Sequence, residues 1–265
     1  MAAPELPKVL YSCYHTSSRE GEQFVPEHIL SFQLAGTLTI SNGEQTYTFS
    51  EGDIKFHQRN HLLKFYKQPP ANGEGFKTLS VCFDQETLHN FSREYDYTAS
   101  KTHLNKAVTS LTPNALYSSF LQSLQPYEQL SQSGNDNLLA LKLKEALLIL
   151  LKTNPELKDI LFDFSEPGKI DLEAFMLKNY HFNVHLNRFA YLTGRSIATF
   201  KRDFEKIFNT TPSRWLQQQR LREAYYLIKE KGRRASDVYL EVGFEDLSHF
   251  SFAFKNAYGV APSLI

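Results

Sequence analysis

"LTGRSIATFKRDFEKIFNTTPS", Leu192 to Ser213, decides how this chain is read, because a later stretch repeats it. That stretch is "EVGFEDLSHFSFAFKNAYGVAPS", Glu241 to Ser263. Phe200, Phe204, Asn209, Pro212 and Ser213 match Phe250, Phe254, Gly259, Pro262 and Ser263 at an offset of 50. Gly194 matches Gly243 at an offset of 49, so the second turn is one residue longer. Two copies argue for a duplicated module rather than a solenoid.

Each copy predicts helix, tight turn, helix. In the first, Leu186, Phe189, Ala190 and Leu192 carry the leading helix. Gly194 permits a left-handed turn and Ser196 is a cap for the second helix. Phe200, Phe204, Ile207 and Phe208 fall at helical spacing and are expected to face inward. Asn209 suits the left-handed position after a helix. Thr211, as cap, and Pro212 then start a long linker helix that runs to Gly232. Ser236 is expected to cap the next short helix. In the second copy "FSFAF", Phe250 to Phe254, alternates as a strand would. The repeat overrides that reading. Phe250 and Phe254 join Leu247, Ala257 and Tyr258 on a buried stripe. Phe252 then points about 200° away from the core at 3.6 residues per turn.

Two helices joined by a glycine turn form a helix-turn-helix, whose second helix enters the major groove in DNA-binding versions. The outward face of the first copy holds Ala198, Thr199, Lys201, Arg202 and Lys206. Lysine and arginine there can read guanine or grip phosphate; the plain alternative is a solvated helix face. Charge favours DNA. The chain holds 29 Lys+Arg and 29 Asp+Glu, yet residues 169–265 hold 15 against 10, and Arg195 to Arg234 holds 11 against 4. A neutral average hides a basic C-terminal third, as expected for a polyanion partner. Trp215 is expected to pack between the two helix-turn-helix units. Arg222 is read as a phosphate contact or a tie, and Arg220 as a structural tie.

The first third reads as strands. "HILSFQLAGTLTI" alternates, Asn42-Gly43 is a hairpin turn, and Gly52-Asp53 marks another. Several short strands broken by glycine turns suggest a small antiparallel barrel or sandwich. From Thr112 the pattern becomes helical, with Leu116, Phe120, Leu121 and Leu124 on one face. Asn135 to Asn137 can cap the next helix, "NLLALKLKEALLILLKTNP", which is apolar nearly all round. Such a helix is covered on several sides: it packs between the strand domain and the C-terminal helices, or it seals a homodimer through residues near 138–152. Lys142, Lys144 and Glu145 interrupt it, so it is not read as a membrane span. "KTNPELKDILFDFSEPGK" is a linker candidate.

These stretches resemble the AraC/XylS family of bacterial transcription regulators. "LNRFAYLTGRSIATFKRDFEKIFNTTPSRWLQQQRLREAYYLI" is similar to the family's first unit and linker helix, and "ASDVYLEVGFEDLSHFSFAFKNAYGVAPS" to its signature segment. "LLALKLKEALLILL" and "FMLKNYHFNVHLNRFAYLTGRS" look most like the ExsA-like subgroup, in which the N-terminal domain dimerises and binds a regulatory protein. The resemblance implies an α+β chain: a cupin-like antiparallel β-barrel with helices, then an all-α domain of two helix-turn-helix units joined by a linker helix. It places a sensor or dimerisation domain at 1–160, with helices about 113–153, and a DNA-binding domain at 166–265. It implies that bases meet Ala198, Lys201 and Arg202, with Ile197 and Thr199 beside them. In the second unit they meet Leu247, Ser248, Ser251 and Phe252, with His249 nearby. An arginine is common in the family where this chain has Phe252. The implied partners are promoter DNA, RNA polymerase if the protein activates, and an effector or regulatory protein at the N-terminal domain.

A cupin-like barrel raises the alternative of a metalloenzyme. The candidate ligands are His15, His28, His57, His61, His89 and His103. His57 and His61 stand four apart after a strand, with no glutamate to complete a set, so they are read as surface or turn residues. Asp53 is read as a turn residue. Nothing resembles a phosphate-binding loop, a nucleophile elbow or a CxxC pair, so no catalytic residue, metal or cofactor is expected. Cys13 and Cys82 read as reduced thiols, and the N-terminus lacks a secretory pattern, so the expected location is cytoplasmic.

Overall fold

The structure is a computed structural model, and it describes residues 8–19, 23–100, 106–128 and 136–265. Asn135 and His103, named above as a cap and a candidate ligand, lie outside the described residues. The chain divides into two compact units. One is Met1–Gly21 with Val25–Ser165, and the other is Glu22–Phe24 with Glu166–Ile265.

Strands β1 (Val9–Tyr14), β2 (Phe24–Val25), β3 (His28–Ala35), β4 (Thr37–Ser41), β5 (Thr46–Phe49), β6 (Ile54–His57), β7 (His61–Leu62), β8 (Lys64–Gln68), β9 (Phe76–Phe83) and β10 (Val108–Leu111) follow in chain order. Five of them form an antiparallel sheet in the order β1-β9-β3-β6-β10. Three form a second antiparallel sheet in the order β5-β4-β8. β2 and β7 pair as a two-stranded ladder, and the two larger sheets share a core, the antiparallel β unit expected from the sequence. The corner between them is Gly36, at φ 75°, just after a register shift at Gln33/Ala35. A Cβ on Gly36 would lie 2.4 Å from the Gln68 carbonyl oxygen, so only glycine fits this close approach.

Alternation along β6 sorts two cores. Ile54 and Phe56 join Leu30, Phe32 and Val81 under the helices α1 (Gln85–Tyr95), α2 (Ala115–Leu124) and α3 (Asp136–Thr153). Asp84 caps α1 by accepting from the Thr87 N–H at 2.7 Å. Asn114 caps α2 by accepting from the Leu116 N–H at 2.9 Å. On α2 the buried residues are Tyr117, Phe120 and Leu124, whereas Leu116, expected inside, is exposed. On α3, Leu143, Ala146, Leu147 and Leu150 enter the core, and Leu138, Leu141 and Leu148 remain exposed. A turn of helix, α4 (Lys158–Leu161), closes the unit. Among the described residues no helix is long and apolar enough to cross a membrane.

The opposite face of β6 carries Lys55 and His57, which point toward the three-stranded sheet. The Lys55 ammonium lies 5.2 Å from the Phe49 ring centroid, and the His57 ring lies 6.1 Å from that of Phe65. Lys55 is 0 % exposed, and His57 and His28 are also buried. This corrects the surface-or-turn reading for His28 and His57; His15 and His89 are exposed and His61 is half-buried. The physical reason is position: β6 lies inside its sheet with both faces covered, and β3 beside it is covered likewise. Desolvation pushes the Lys55 amine down to about 7, against a weaker upward pull from Asp53. Desolvation, reinforced by Lys55 for His57 and by Arg59 for His28, pushes both imidazoles down to about 3.

A stability prediction follows from Lys55. In the folded chain the amine is neutral above about 7, while in the unfolded chain it stays protonated up to 10.5. The unfolded state binds more protons in that window, so stability rises with pH across it, and the full penalty applies below it. Lys55→Met should therefore raise the thermal midpoint at pH 7, with a gain that shrinks toward pH 10. Differential scanning calorimetry checks this; a gain that grows with pH contradicts it.

Candidate nucleic-acid interface

The helical unit runs α5 (Leu172–Asn179), α6 (Leu186–Leu192), α7 (Ile197–Phe208), α8 (Pro212–Lys229), α9 (Ala235–Val238) and α10 (Leu247–Tyr258). The first helix-turn-helix is α6, Gly194 at φ 64°, then α7. Arg195 clamps the turn. It donates to the carbonyls of Thr193 at 2.7 Å and Ile170 at 3.0 Å, and to Asp203 Oδ2 at 3.2 Å. That hydrogen bond, helped by Lys169 and Arg202, holds the Asp203 carboxyl below its usual range. Ser196 caps α7 by accepting from the Thr199 N–H at 3.2 Å. Asn209, at φ 52°, ends the helix.

Phe200 and Phe204 are fully buried, as their spacing predicts. Ile207 is exposed instead of inward, because the last turn of α7 passes the edge of the core and Phe208 takes the packing contact with Trp215. Trp215 packs on Phe204, Phe208 and Tyr180, within the first helix-turn-helix rather than between the two. Pro212 starts α8, but Thr211 makes no side-chain cap bond. The outward face of α7 presents Ile197, Ala198, Lys201, Arg202 and Lys206 exposed, with Thr199 half-buried. The Arg202 side chain is 66 % exposed; Asp203, 3.7 Å away, is a long, solvated contact that leaves the guanidinium available.

The second helix-turn-helix is α9, Gly243 at φ 101°, then α10. Arg234, not Ser236, stands at the cap position of α9, with no side-chain cap bond, because that helix is a single turn starting at Ala235. Asp246 caps α10 by accepting from the His249 N–H at 2.7 Å. Phe250, Ala253 and Phe254 face the core. Of the other residues expected on that stripe, Leu247, at the free first turn, and Ala257 are exposed, whereas the Tyr258 ring packs on Phe254 and Tyr225 at the rim of the core. Leu247, Ser248, His249 and Phe252 are exposed and Ser251 is half-buried. Phe252 is 68 % exposed, the direction the repeat assigned to it. The Ser251 hydroxyl donates to the Leu247 carbonyl at 2.8 Å, so its proton is committed to the helix. The acidic residues around this turn are engaged too: Glu241 pairs with Arg233 at 2.7 Å, Glu245 accepts from the Asn183 side-chain amide, and Asp246 is the cap. The two outward faces therefore differ, cationic on α7 and apolar with hydroxyls on α10.

Arg220 joins these parts. From α8 it donates to the carbonyls of Tyr180 at 2.9 Å and Phe182 at 2.7 Å. Burial pushes its guanidinium down to about 10, still protonated at neutral pH. A Cβ on Gly243 would lie 2.8 Å from both Arg220 Nε and the His181 carbonyl oxygen. The loop after α5, the linker helix and the second turn thus meet at one arginine. The basic excess from Arg195 to Arg234 is not all surface charge, since Arg195 and Arg220 serve the fold. Arg214 and Arg222, on α8, are exposed cations outside the two reading helices. Arg222 was expected as a phosphate contact or a tie; Arg214 was not singled out, and its place in the first turn of α8, directly after α7, is the signal that marks it. Among the described residues, no three His, Cys, Asp or Glu side chains gather to hold a metal.

Two family models match the chain: an ExsA N-terminal regulatory domain over residues 28–160 and a helix-turn-helix domain over residues 189–264. The HTH-type transcriptional regulator ExsA of Pseudomonas aeruginosa is 23% identical over 87% of this chain and 82% of its own. The virulence regulon transcriptional activator VirF of Yersinia enterocolitica is 25% identical over 87% of this chain and 85% of its own. An uncharacterized HTH-type transcriptional regulator of Haemophilus influenzae is 29% identical over 86% of this chain and 82% of its own.

Gly243→Ala should disturb the junction at Arg220. A left-handed alanine costs about 1–2 kcal/mol before any clash, so the thermal midpoint should fall. DNA affinity measured by fluorescence anisotropy should fall further than with Gly259→Ala, where a Cβ meets nothing within 4 Å. Equal effects of the two substitutions would contradict the junction.

Proposed function

Because the chain belongs to the ExsA-like branch of the AraC/XylS transcription regulators, we propose that its two helix-turn-helix units read adjacent major grooves on one face of a promoter, about 34 Å apart. It is a DNA-binding transcription regulator with an N-terminal regulatory domain. The observation that carries the proposal is the pair of capped helices, each after a glycine turn, with exposed outer faces and buried phenylalanine stripes. In this reading Lys201 and Arg202 contact guanine or phosphate, with Ile197, Ala198, Thr199 and Lys206 around them. Leu247, Ser248, His249, Ser251 and Phe252 form the second face. Phe252 meets a thymine methyl or stacks on an exposed base edge.

The protein acts as an activator in this proposal, with RNA polymerase as the further partner and the cytoplasm as its place of work. No catalytic step is assigned to it. An effector or regulatory protein acts on the N-terminal domain. Leu138, Leu141 and Leu148 lie three and seven residues apart on the exposed side of α3, the spacing of a helical seam, and pair two copies of the chain.

Selection of bound sequences from a random DNA pool tests the reading. Arg202→Ala should cost about 1–3 kcal/mol of binding and relax one base position. Lys201→Ala or Arg202→Ala should weaken binding more than Phe252→Ala, whereas Phe252→Ala should change the preference at a thymine position. Equal losses, or an unchanged preference, would sink the assignment of faces. Leu141→Lys should move the chain toward monomer in analytical ultracentrifugation; an unchanged mass distribution would remove α3 as the seam.

A further inference from the structure

We infer that Lys169, which lies outside both helix-turn-helix units, grips a backbone phosphate of DNA beside the first reading helix, and that the turn at Gly194 places it there. The inference rests on the reading that α7 enters a major groove, and it adds a contact that neither reading helix supplies.

By composition "KTNPELKDILFDFSEPGK" is a linker, yet its last residues, from Glu166 on, belong to the helical unit. They are docked on the first turn. A Cβ on Gly194 would lie 2.4 Å from the Gly168 carbonyl carbon, 2.5 Å from the Gly168 oxygen and 2.5 Å from the Lys169 nitrogen. All of these are backbone atoms, so no flexible side chain can swing aside. Glycine at 194 therefore answers two demands: a left-handed turn at φ 64°, and backbone lying directly on backbone. The next residue, Arg195, donates from Nη1 to the Ile170 carbonyl at 3.0 Å. Asp171 then caps α5 by accepting from the Ala174 N–H at 3.0 Å, which fixes the far end of the segment and engages that carboxylate.

The docked segment sets where the Lys169 side chain stands. Its ammonium lies 3.8 Å from Asp203 Oδ2 on α7. Arg202 Nε lies 3.7 Å from Asp203 Oδ1, and Arg195 Nε donates to Oδ2 at 3.2 Å. Among the described residues, three cations thus surround one carboxylate. Arg195 is buried and its bonds are made, whereas the Lys169 and Arg202 side chains are each 66 % exposed. Long contacts between exposed groups contribute little, so Asp203 holds Lys169 and Arg202 side by side without neutralising them. The cluster carries an excess of two positive charges.

Its place names the ligand. Arg202 belongs to the outward face of α7, and Lys169 stands at the rim of that face, beside it. A helix seated in a groove has base edges in front of it and phosphates along its rims, and the rim contacts fix its register. A lysine is a compact charge on a flexible stem; it suits a phosphate, whereas the planar fork of arginine suits guanine. Lys169 therefore contributes affinity and register, and Arg202 contributes the reading of a base. Gly168 itself leaves room for a test, since a Cβ there meets nothing within 4 Å.

The full chain is to be titrated with its selected DNA site and with an unrelated duplex over a series of salt concentrations, read by fluorescence anisotropy. Lys169→Ala should weaken both duplexes by a similar factor and lower the slope of log affinity against log salt by about 1. Lys169→Arg should restore both. The base preference selected from a random pool should stay as it is with Lys169→Ala, whereas Arg202→Ala relaxes it. Gly194→Ala tests the placement: once it has displaced the segment, adding Lys169→Ala should cost less than Lys169→Ala costs alone. Gly168→Ala should leave binding unchanged. The thermal midpoint reports folding of each variant, and if Gly194→Ala does not fold, the salt slope of Lys169→Ala decides. An unchanged slope or an altered base preference with Lys169→Ala overturns the phosphate contact, and additive losses in the double variant overturn its placement by Gly194. Sequence-selective binding by the unaltered chain beside an unchanged slope removes Lys169 and leaves the two-groove reading standing.

Discussion

In the proposed reading of DNA, the placement of the two units depends on Arg220. Two reading helices are useful only at a fixed separation, because the grooves they enter are fixed by the duplex. Arg220 sets that separation by joining three segments at one point. Its two hydrogen bonds bind the linker helix to the carbonyls of Tyr180 and Phe182, beside the first helix-turn-helix. Its Nε side is covered by Gly243, the turn of the second. A buried guanidinium is costly unless it is hydrogen-bonded, and here Nε and Nη2 each donate to a carbonyl. The same contact explains why the second turn requires a glycine.

The two outward faces of this pinned pair divide the work. On α7 the lysines and arginine are exposed, and Asp203 beneath them is drawn away by Arg195. At the turn before α10 the acidic residues are engaged by a cap, an ion pair and a hydrogen bond from an amide, and the first turns of α10 expose apolar side chains with hydroxyls and one histidine. Charge alone would make the second unit a poor partner for a polyanion. In the proposed reading its contribution is shape and methyl contact, with affinity carried by the first unit and by exposed arginines of the linker helix.

Much of this was legible in the chain itself. The matched phenylalanines, the capping serine Ser196 and the two glycine turns follow from helical period and backbone sterics, and they appear where those rules place them. What was not legible has a common cause: a period tells which residues share a face, not which faces are covered. Ile207 and Leu247 lie on or near the right stripe but beyond the core's edge. His57 and Lys55 look like strand residues with a polar side, yet β6 has neighbours on both sides, helices over one face and the three-stranded sheet over the other. Arg195 reads as one more positive charge until its carbonyl partners are seen.

The central claim is that two units bind at a set distance on one face of the duplex. It is tested most directly by affinity for a selected site lengthened between its two contacted segments. Insertion of about 5 base pairs, half a helical turn, should reduce binding to that of one unit alone. Insertion of about 10 should restore the face but not the distance, and binding should stay weak because Arg220 holds the spacing. Undiminished affinity with either insertion would contradict a rigid two-groove reader.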